Sequence, residues 1–181
     1  MGKRKIIDRN KLLDTAENII DNKGASALTI ENVAKEMGIS KGGVQSCFGN
    51  KSGLINALLD RWGKRYDGCL NELNNEFIEI SDPITLIKKH VRITLNEQEL
   101  LARAASHLIV TLEAKEQREW LKRWHAERLK NIDTATIQGK KARLAYFATE
   151  GAFVLRYFGL YEMTSEEWKE LFTDIEDLFE S

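Results

Sequence analysis

The sequence predicts an all-α protein of about nine helices. Apolar residues recur at spacings of three and four along most of the 181-residue chain, which is the period of a helix with one buried face. Pro83 is the only proline, and alternating β-branched segments are few, so strands are disfavoured. Glycines and capping side chains separate the periodic segments, and they mark where each helix begins and ends.

The first predicted helix covers residues 8–23 and follows a short basic segment at residues 3–5. Gly24 ends this helix, because glycine is a common stop signal after the last periodic residue. The buried stripe of the helix consists of Leu12, Ala16, Ile19 and Ile20. The segment therefore reads as an amphipathic helix with a polar outer face.

Two short helices follow, over residues 29–37 and 41–47, separated by a tight turn. Gly38 ends the first of them, and Ser40 can cap the second by accepting a hydrogen bond from a free backbone N–H group. Two short helices joined by a few residues that include glycine form a helix-turn-helix, whose second helix can enter the major groove of DNA. The sequence therefore predicts a three-helix DNA-binding domain at residues 1–50.

The remaining residues, 51–181, read as a second helical domain. Asn50 can cap its first helix, and Pro83 after an aspartate marks the clearest break, because proline fits the first helical turn. Ser165 can cap the last helix, and Gly139 can interrupt the longest one. The predicted helices cover residues 51–65 or beyond, with 67–80 continuing helical, and then residues 83–96, 98–113, 115–131, 134–160 and 165–179.

Charge is distributed unevenly along the chain, although the net charge is only −1. Residues 1–66 hold 12 Lys and Arg against 7 Asp and Glu, whereas residues 67–181 hold 15 against 21. A basic N-terminal part beside an acidic remainder fits a protein that presents one end to phosphate, and chance asymmetry is the alternative.

Two cysteines make no disulfide framework and no signal-peptide core is present, so the predicted location is the cytoplasm.

Several ordered motifs within about the first 60 residues carry a family resemblance. They are AENIIDNKG in the first helix, ALTIENVA from Ala27 to Ala34, MGISKGGV across the turn, and Phe48 followed by NKSGL at residues 50–54. This pattern resembles the TetR family of bacterial transcriptional regulators. The resemblance implies a helix-turn-helix DNA-binding domain followed by a helical ligand-binding and dimerisation domain.

The predicted DNA contacts lie on the second short helix, on the cap of the preceding helix and at the start of the next. Lys41 and Gln45 are one turn apart on the exposed face, and Gln45 can pair with adenine or touch only the backbone. Family members often carry an aromatic pair where this chain has Gln45 and Ser46, so the operator contacts differ. The resemblance gives Thr29 a phosphate contact, and Lys51 gains one from its place at a helix start. The full predicted set is Thr29, Ser40, Lys41, Gly42, Gly43, Gln45, Ser46 and Lys51.

Aromatic side chains in the C-terminal domain favour a pocket for a small effector that is apolar, aromatic or cationic. The resemblance implies a pocket between the C-terminal helices, whereas filling the core is the alternative role for each aromatic residue. The residues assigned to the pocket are Trp62, His107, Trp120, Trp124 and Phe147. No cofactor and no metal site is predicted, because the three histidines have no ligand partners at close spacing.

A seam of mostly small residues runs along the predicted helix 134–160. Its members are Ala145, Ala148, Ala152, Leu155 and Gly159. Small side chains at alternating three- and four-residue spacing let another helix approach closely. The resemblance implies that this seam forms the dimer interface, and packing within one chain is the alternative.

These observations favour a homodimeric, sequence-specific DNA-binding transcriptional regulator, and specifically a repressor that its effector releases from a palindromic operator. The expected partners are double-stranded DNA, a second copy of the chain and the effector, with no membrane. An all-helical enzyme is disfavoured, because no catalytic triad order, phosphate loop or paired metal motif is present. The remaining alternative is a helical interaction module that has lost DNA binding, which the missing aromatic pair leaves open.

Overall fold

The computed structural model describes residues 7–73, 82–112 and 115–180, and within these ranges it contains nine α-helices and no strand. The helices are α1 (Arg9–Lys23), α2 (Ile30–Met37), α3 (Lys41–Phe48), α4 (Lys51–Glu72), α5 (Pro83–Asn96), α6 (Gln98–Leu112), α7 (Lys115–Leu129), α8 (Ile137–Tyr157) and α9 (Ser165–Asp177). One 3-10 turn, Ala25–Ala27, joins α1 to α2. The predicted all-helical fold is confirmed.

The helices group into two compact units. The first unit takes residues 1–63 together with 106–118, and the second takes residues 64–105 together with 119–181. α4, α6 and α7 therefore contribute residues to both units. The boundary predicted from the sequence, with a DNA-binding domain at residues 1–50 and a second helical domain at residues 51–181, stays a prediction. No helix in the described ranges is both long and apolar enough to cross a membrane.

The first unit is built on an apolar core shared by α1, α2 and α3. α1 begins after Asp8, whose carboxylate accepts hydrogen bonds from the backbone N–H groups of Asn10 and Lys11 at 2.9 and 3.2 Å. Buried side chains of the three helices include Leu12, Ala16, Ile20, Val33, Ala34, Val44 and Phe48. Burying each of the larger ones contributes about 1.5–3 kcal/mol, so this core is the main support of the helix-turn-helix.

The second unit is centred on α5, α8 and α9, which pack against one another. Trp168 of α9 is buried, and its indole N–H donates a hydrogen bond to the backbone carbonyl of Leu95 on α5 at 3.2 Å. The buried side of α8 consists mostly of small residues, namely Ala142, Ala145, Thr149 and Ala152. Small side chains on this side allow the neighbouring helices to approach α8 closely.

The sequence left the end of the helix that begins at residue 51 open, and α4 extends to Glu72, so it continues into the segment 67–80 as predicted. The cap of α9 differs from the predicted Ser165. Thr164, one residue before Ser165, caps α9, because its hydroxyl accepts from the Glu167 N–H at 3.1 Å. The Glu167 carboxylate in turn accepts from the Thr164 N–H at 2.8 Å, which completes a capping box.

Gly139 lies in the first turn of α8 and does not interrupt the helix. Thr136 caps α8 by accepting a hydrogen bond from the Gly139 N–H at 3.0 Å. A Cβ atom at Gly139 would lie 1.9 Å from the carbonyl oxygen of Asp133, so the tight turn before α8 requires glycine. The predicted basic segment 3–5 and the end of the predicted helix 67–80 lie outside the described residues.

Candidate nucleic-acid interface and effector domain

The turn between α2 and α3 has the backbone geometry of a helix-turn-helix. Gly38 closes α2 in the left-handed conformation, with φ of 63°, and the Ile39 N–H donates to the Ala34 carbonyl at 3.0 Å. The Ser40 hydroxyl then accepts a hydrogen bond from the Gly43 N–H at 3.1 Å and caps α3. The predicted stop and cap signals are therefore both used.

α3 buries one side and exposes the other. Val44 and Phe48 face the core, whereas Lys41, Gln45 and Ser46 are exposed. The Ser46 hydroxyl donates to the Gly43 carbonyl at 2.7 Å, so in this structure it is directed back along its own helix. Lys41 and Gln45 are one turn apart and are the long polar side chains of the exposed face.

The two glycines of α3 are not equivalent. Gly42 is exposed, and a Cβ atom there would meet nothing closer than the Ser40 hydroxyl at 3.9 Å. Gly43 is half-buried, and a Cβ atom there would lie 3.0 Å from Ile7 and 3.4 Å from Ile39. Gly42 therefore leaves the outer surface of α3 open, whereas Gly43 makes room for packing beneath it.

Lys41 forms an ion pair with Glu31 of α2. The hydrogen bond from Lys41 holds the pKa of the Glu31 carboxyl below its usual value. Both side chains are more than half exposed, and such surface pairs contribute little to stability. Lys41 can therefore exchange this carboxylate for a phosphate at little cost.

The remaining predicted contacts lie at two other helix starts. Thr29 caps α2, with its hydroxyl accepting from the Asn32 N–H at 3.0 Å. Lys51 is the first residue of α4, and the side chain of the preceding Asn50 accepts from the Gly53 N–H at 2.9 Å. The free N–H groups at such helix starts attract phosphate, so each predicted residue stands where an anion can be bound.

The five residues assigned to an effector pocket lie in different environments. His107 is buried in the first unit beside Ile20, Ile55 and Val110. Trp62, Trp120 and Trp124 are each half-buried. The Phe147 side chain is 59% exposed and therefore lies on the outside of the chain.

A buried polar cluster in the second unit was not predicted. The His90 ring bonds to the Tyr66 hydroxyl through Nδ1 at 2.5 Å, and its Nε2 lies 2.9 Å from a carboxylate oxygen of Glu150. Tyr66 and His90 are almost completely buried, and burial raises the pKa of the Tyr66 hydroxyl above its usual value. Burial alone would raise the pKa of Glu150, but hydrogen bonding to His90 and nearby positive charge lower it.

The same cluster continues through α7 and α8. Nδ1 of His125 lies 2.6 Å from the Tyr146 hydroxyl, and burial lowers the pKa of His125 and raises that of Tyr146. The guanidinium of Arg128 lies 3.2 Å from the centroid of the Trp124 ring and 4.8 Å from that of Tyr66. A buried cation between aromatic rings is a strong cation–π arrangement.

Only part of this cluster left a signal in the sequence. Trp124 with Arg128, and Tyr146 with Glu150, are pairs at i and i+4, so each pair shares one helical face. His90 and Tyr66 come from other helices, and no spacing rule connects them to these pairs. Among the described residues, no group of three or more His, Cys, Asp or Glu side chains could hold a metal ion.

Two family profiles match the sequence. The profile described as bacterial regulatory proteins, tetR family, matches residues 12–58, and the profile described as tetracyclin repressor-like, C-terminal domain, matches residues 85–180. The chain belongs to the TetR family. Members of this family are transcriptional regulators and not enzymes, so the chain is a transcriptional regulator.

Three solved structures share the TetR fold over nearly the whole chain. A transcriptional regulator from Rhodococcus sp. Rha1 is 18% identical, with a TM-score of 0.64 over 96% of this chain and 97% of its own. A Clostridium perfringens protein described as a fatty acid metabolism regulator is 14% identical, with a TM-score of 0.59 over 92% and 96%. A TetR-like regulator from Rhodococcus sp. RHA1 is 17% identical, with 0.54 over 98% and 96%. No curated protein matches the sequence.

The small-residue seam of α8 in this TetR-family chain is divided between two sides of the helix. Ala145 and Ala152 are buried within the chain, whereas Ala148, Leu155 and Gly159 are exposed. The exposed side also carries large apolar residues, with Leu144 at 59%, Phe147 at 59%, Leu155 at 43% and Val154 at 39% exposure. A second chain can reach only this exposed side, because α5 and α9 already cover the other.

Proposed function

We propose that this protein is a homodimeric repressor that binds a palindromic operator and is released from it by a small effector. The observation that carries the proposal is the outward face of α3. Lys41 and Gln45 stand free of the core on a helix whose other side is held by Val44 and Phe48. A short exposed helix on a helix-turn-helix support is the element that enters the major groove.

Phosphate contacts would position this helix on the duplex. Lys51 and the N-terminus of α4 would bind one phosphate, and Thr29 at the start of α2 would bind another. Gln45 would contact base edges, and Gly42 would let the backbone approach the DNA. Ser40, Gly43 and Ser46 would also contact the DNA near α3, through their backbone or their short side chains.

The exposed apolar stripe of α8 supports a dimer. Leu144, Phe147, Ala148 and Leu155 lie on one side of the helix, and their exposure leaves a contiguous apolar surface. Large apolar surfaces of this kind mark protein interfaces. A symmetric pair of α8 helices would bury this surface and would join two DNA-binding heads, which then engage two half-sites of a palindrome.

The buried cluster of the second unit is the proposed place of effector recognition. Trp124 and Tyr66 offer aromatic faces, while Arg128 and Glu150 offer opposite charges. An aromatic or cationic effector could bind these rings, and release from DNA requires that it bind the DNA-free conformation more tightly than the DNA-bound one. The coupling free energy is reciprocal, so operator DNA would weaken effector binding equally.

Binding to duplex DNA of random sequence at several salt concentrations tests the DNA-binding part. Affinity for DNA should fall steeply as the salt concentration rises, because phosphates bound by the protein release counterions. Lys51→Ala should weaken binding to all sequences and reduce the salt slope by about 1 for each bound head. Lys140→Ala, an exposed lysine of α8, is the matched control. Absence of salt-dependent binding by the unaltered protein would favour the interaction module instead.

A further inference from the structure

A hydrogen-bonded chain joins α7 to the first turn of α4 within the first unit. The side-chain nitrogen of Gln117 donates to the Ser52 hydroxyl oxygen at 2.7 Å and to the Asn56 side-chain oxygen at 3.1 Å. The Ser52 hydroxyl in turn donates to the carboxylate of Glu116 at 2.9 Å. A hydroxyl has a single proton, so Ser52 can only accept from Gln117, and the direction of each bond is fixed.

Burying the Gln117 side chain in the core is energetically unfavourable for one of its atoms. Its side chain is completely buried, and its carbonyl oxygen Oε1 is buried and accepts no hydrogen bond from the described part of the chain. A buried acceptor without a partner is unfavourable, so an apolar side chain of similar size would suit the core better. The amide nitrogen bonds only to the first turns of α4, so what the amide provides is a link that holds these turns in one position relative to α7.

Ser52 lies between Lys51, a proposed phosphate contact, and Gly53, which packs against the end of α3. It follows Lys51, the residue assigned to phosphate, in the first turn of α4. It precedes Gly53, where a Cβ atom would lie 2.0 Å from the carbonyl oxygen of Phe48, the last residue of α3. The first turn of α4 is therefore in backbone contact with the end of α3, and a displacement of this turn moves both Lys51 and α3.

We propose that Gln117 is a positioning residue for DNA binding, which holds the first turn of α4 so that Lys51 and α3 meet the duplex together. This role rests on the proposed DNA-binding function and adds a residue of α7, 65 positions from its partner Ser52, to the determinants of affinity. Gln117 itself touches no DNA. It acts on α4 through the hydroxyl and carbonyl of Ser52 and through the side-chain oxygen of Asn56, one turn further along the helix.

The test compares Gln117→Met, Ser52→Ala and the double variant, with Gln138→Met as the matched control at an exposed position of α8. Methionine keeps the unbranched shape and fills the same space without donating hydrogen bonds. Each protein is titrated with a labelled random-sequence duplex at several salt concentrations, well below its unfolding temperature. Thermal unfolding of each variant is recorded in parallel.

We expect Gln117→Met to bind about threefold to tenfold more weakly and to lose about 1 from the salt slope for each bound head. If Gln117 had only a structural role, Gln117→Met would lose the same factor in DNA affinity at every salt concentration. The slope of affinity against salt concentration would then be unchanged. Ser52→Ala should reproduce part of the loss, because the bond from Gln117 to Asn56 remains, and the double variant should bind no more weakly than Gln117→Met, which already breaks every link.

Unchanged affinity and slope in Gln117→Met, with normal binding by the unaltered protein, would overturn the positioning role and leave the proposed function intact. Additive losses in the double variant would also overturn it, because Gln117 would then act by another route. If the unaltered protein showed no salt-dependent DNA binding, the proposed function would fail, and the role of Gln117 with it.

Discussion

The carbonyl oxygen of Phe48 lies 2.0 Å from the place that a Cβ atom on Gly53 would occupy. The end of α3 and the first turn of α4 are therefore in direct backbone contact, and no residue larger than glycine fits between them. This contact fixes the angle between α3, the helix proposed to read DNA, and the start of α4, where Lys51 is proposed to bind phosphate.

Replacing Gly53 by alanine should destabilise the protein. The added carbon must displace the backbone of Phe48, and such overpacking costs about 1–3 kcal/mol. Gly68→Ala, in the same helix, is the control, since a Cβ atom at Gly68 meets nothing within 4 Å. That change should stabilise by up to about 1 kcal/mol through helix propensity. Chemical denaturation of the two variants gives both values, and equal stabilities would contradict the contact.

Glu31→Gln should strengthen binding to random-sequence DNA by about twofold to fivefold. The change removes the carboxylate that pairs with Lys41 and so frees Lys41 for the proposed phosphate contact. Glu36→Gln is the matched control, because Glu36 pairs with Lys23 of α1 instead of a residue of α3. A fluorescence-anisotropy titration measures the effect, and equal gains in both variants would show that Lys41 is not the cause.

Stability should fall as the pH drops from about 7 to about 5, and His125 should contribute to this fall. Burial lowers the pKa of His125 in the folded chain, so the unfolded chain binds more protons below its usual value of about 6.5.

Thermal unfolding across this pH range checks the contribution of His125. His125→Gln, which cannot titrate, should show a flatter dependence, whereas the exposed Glu127→Gln of the same helix should follow the unaltered protein. Glu150 acts in a lower range, because its lowered pKa contributes stability above about 4.5 that is lost as the pH falls further. Parallel curves for His125→Gln and the unaltered protein would contradict the assignment.

Phe147→Asp should convert a dimer into a monomer. The Phe147 side chain is 59% exposed in the single chain, so the change leaves the fold of each chain intact while placing a charge in the proposed interface. Asn131→Asp, in the exposed turn after α7, is the control for added charge. Sedimentation velocity distinguishes the masses, and a dimeric Phe147→Asp variant would place the interface elsewhere.

Local rules predicted the DNA-binding head well. The stop at Gly38, the cap at Ser40 and the apolar contacts of Val44 and Phe48 all depend on neighbours within a few residues, and the structure uses each of them. The same rules placed the cap of α9 at Ser165 when Thr164 serves, because Glu167 completes a capping box only with the earlier residue.

The second unit could not be predicted in the same way. Its polar cluster joins Tyr66 of α4, His90 of α5 and Glu150 of α8, and their proximity depends on how three helices pack. The small-residue seam of α8 was visible in the sequence. The spacing of these residues does not show which side of α8 is covered by other helices of the same chain. Ala145 proved to be buried, and Phe147 proved to lie on the open side.

Selection of bound fragments from a random pool of duplex DNA shows whether α3 reads a DNA sequence. The unaltered protein should enrich one palindromic sequence whose half-sites lie about one helical turn, or a multiple of it, apart. Gln45→Ala should enrich a different or relaxed sequence, whereas Lys51→Ala should enrich the same sequence with less yield. A pool that stays unenriched by the unaltered protein would contradict the claim that α3 reads DNA.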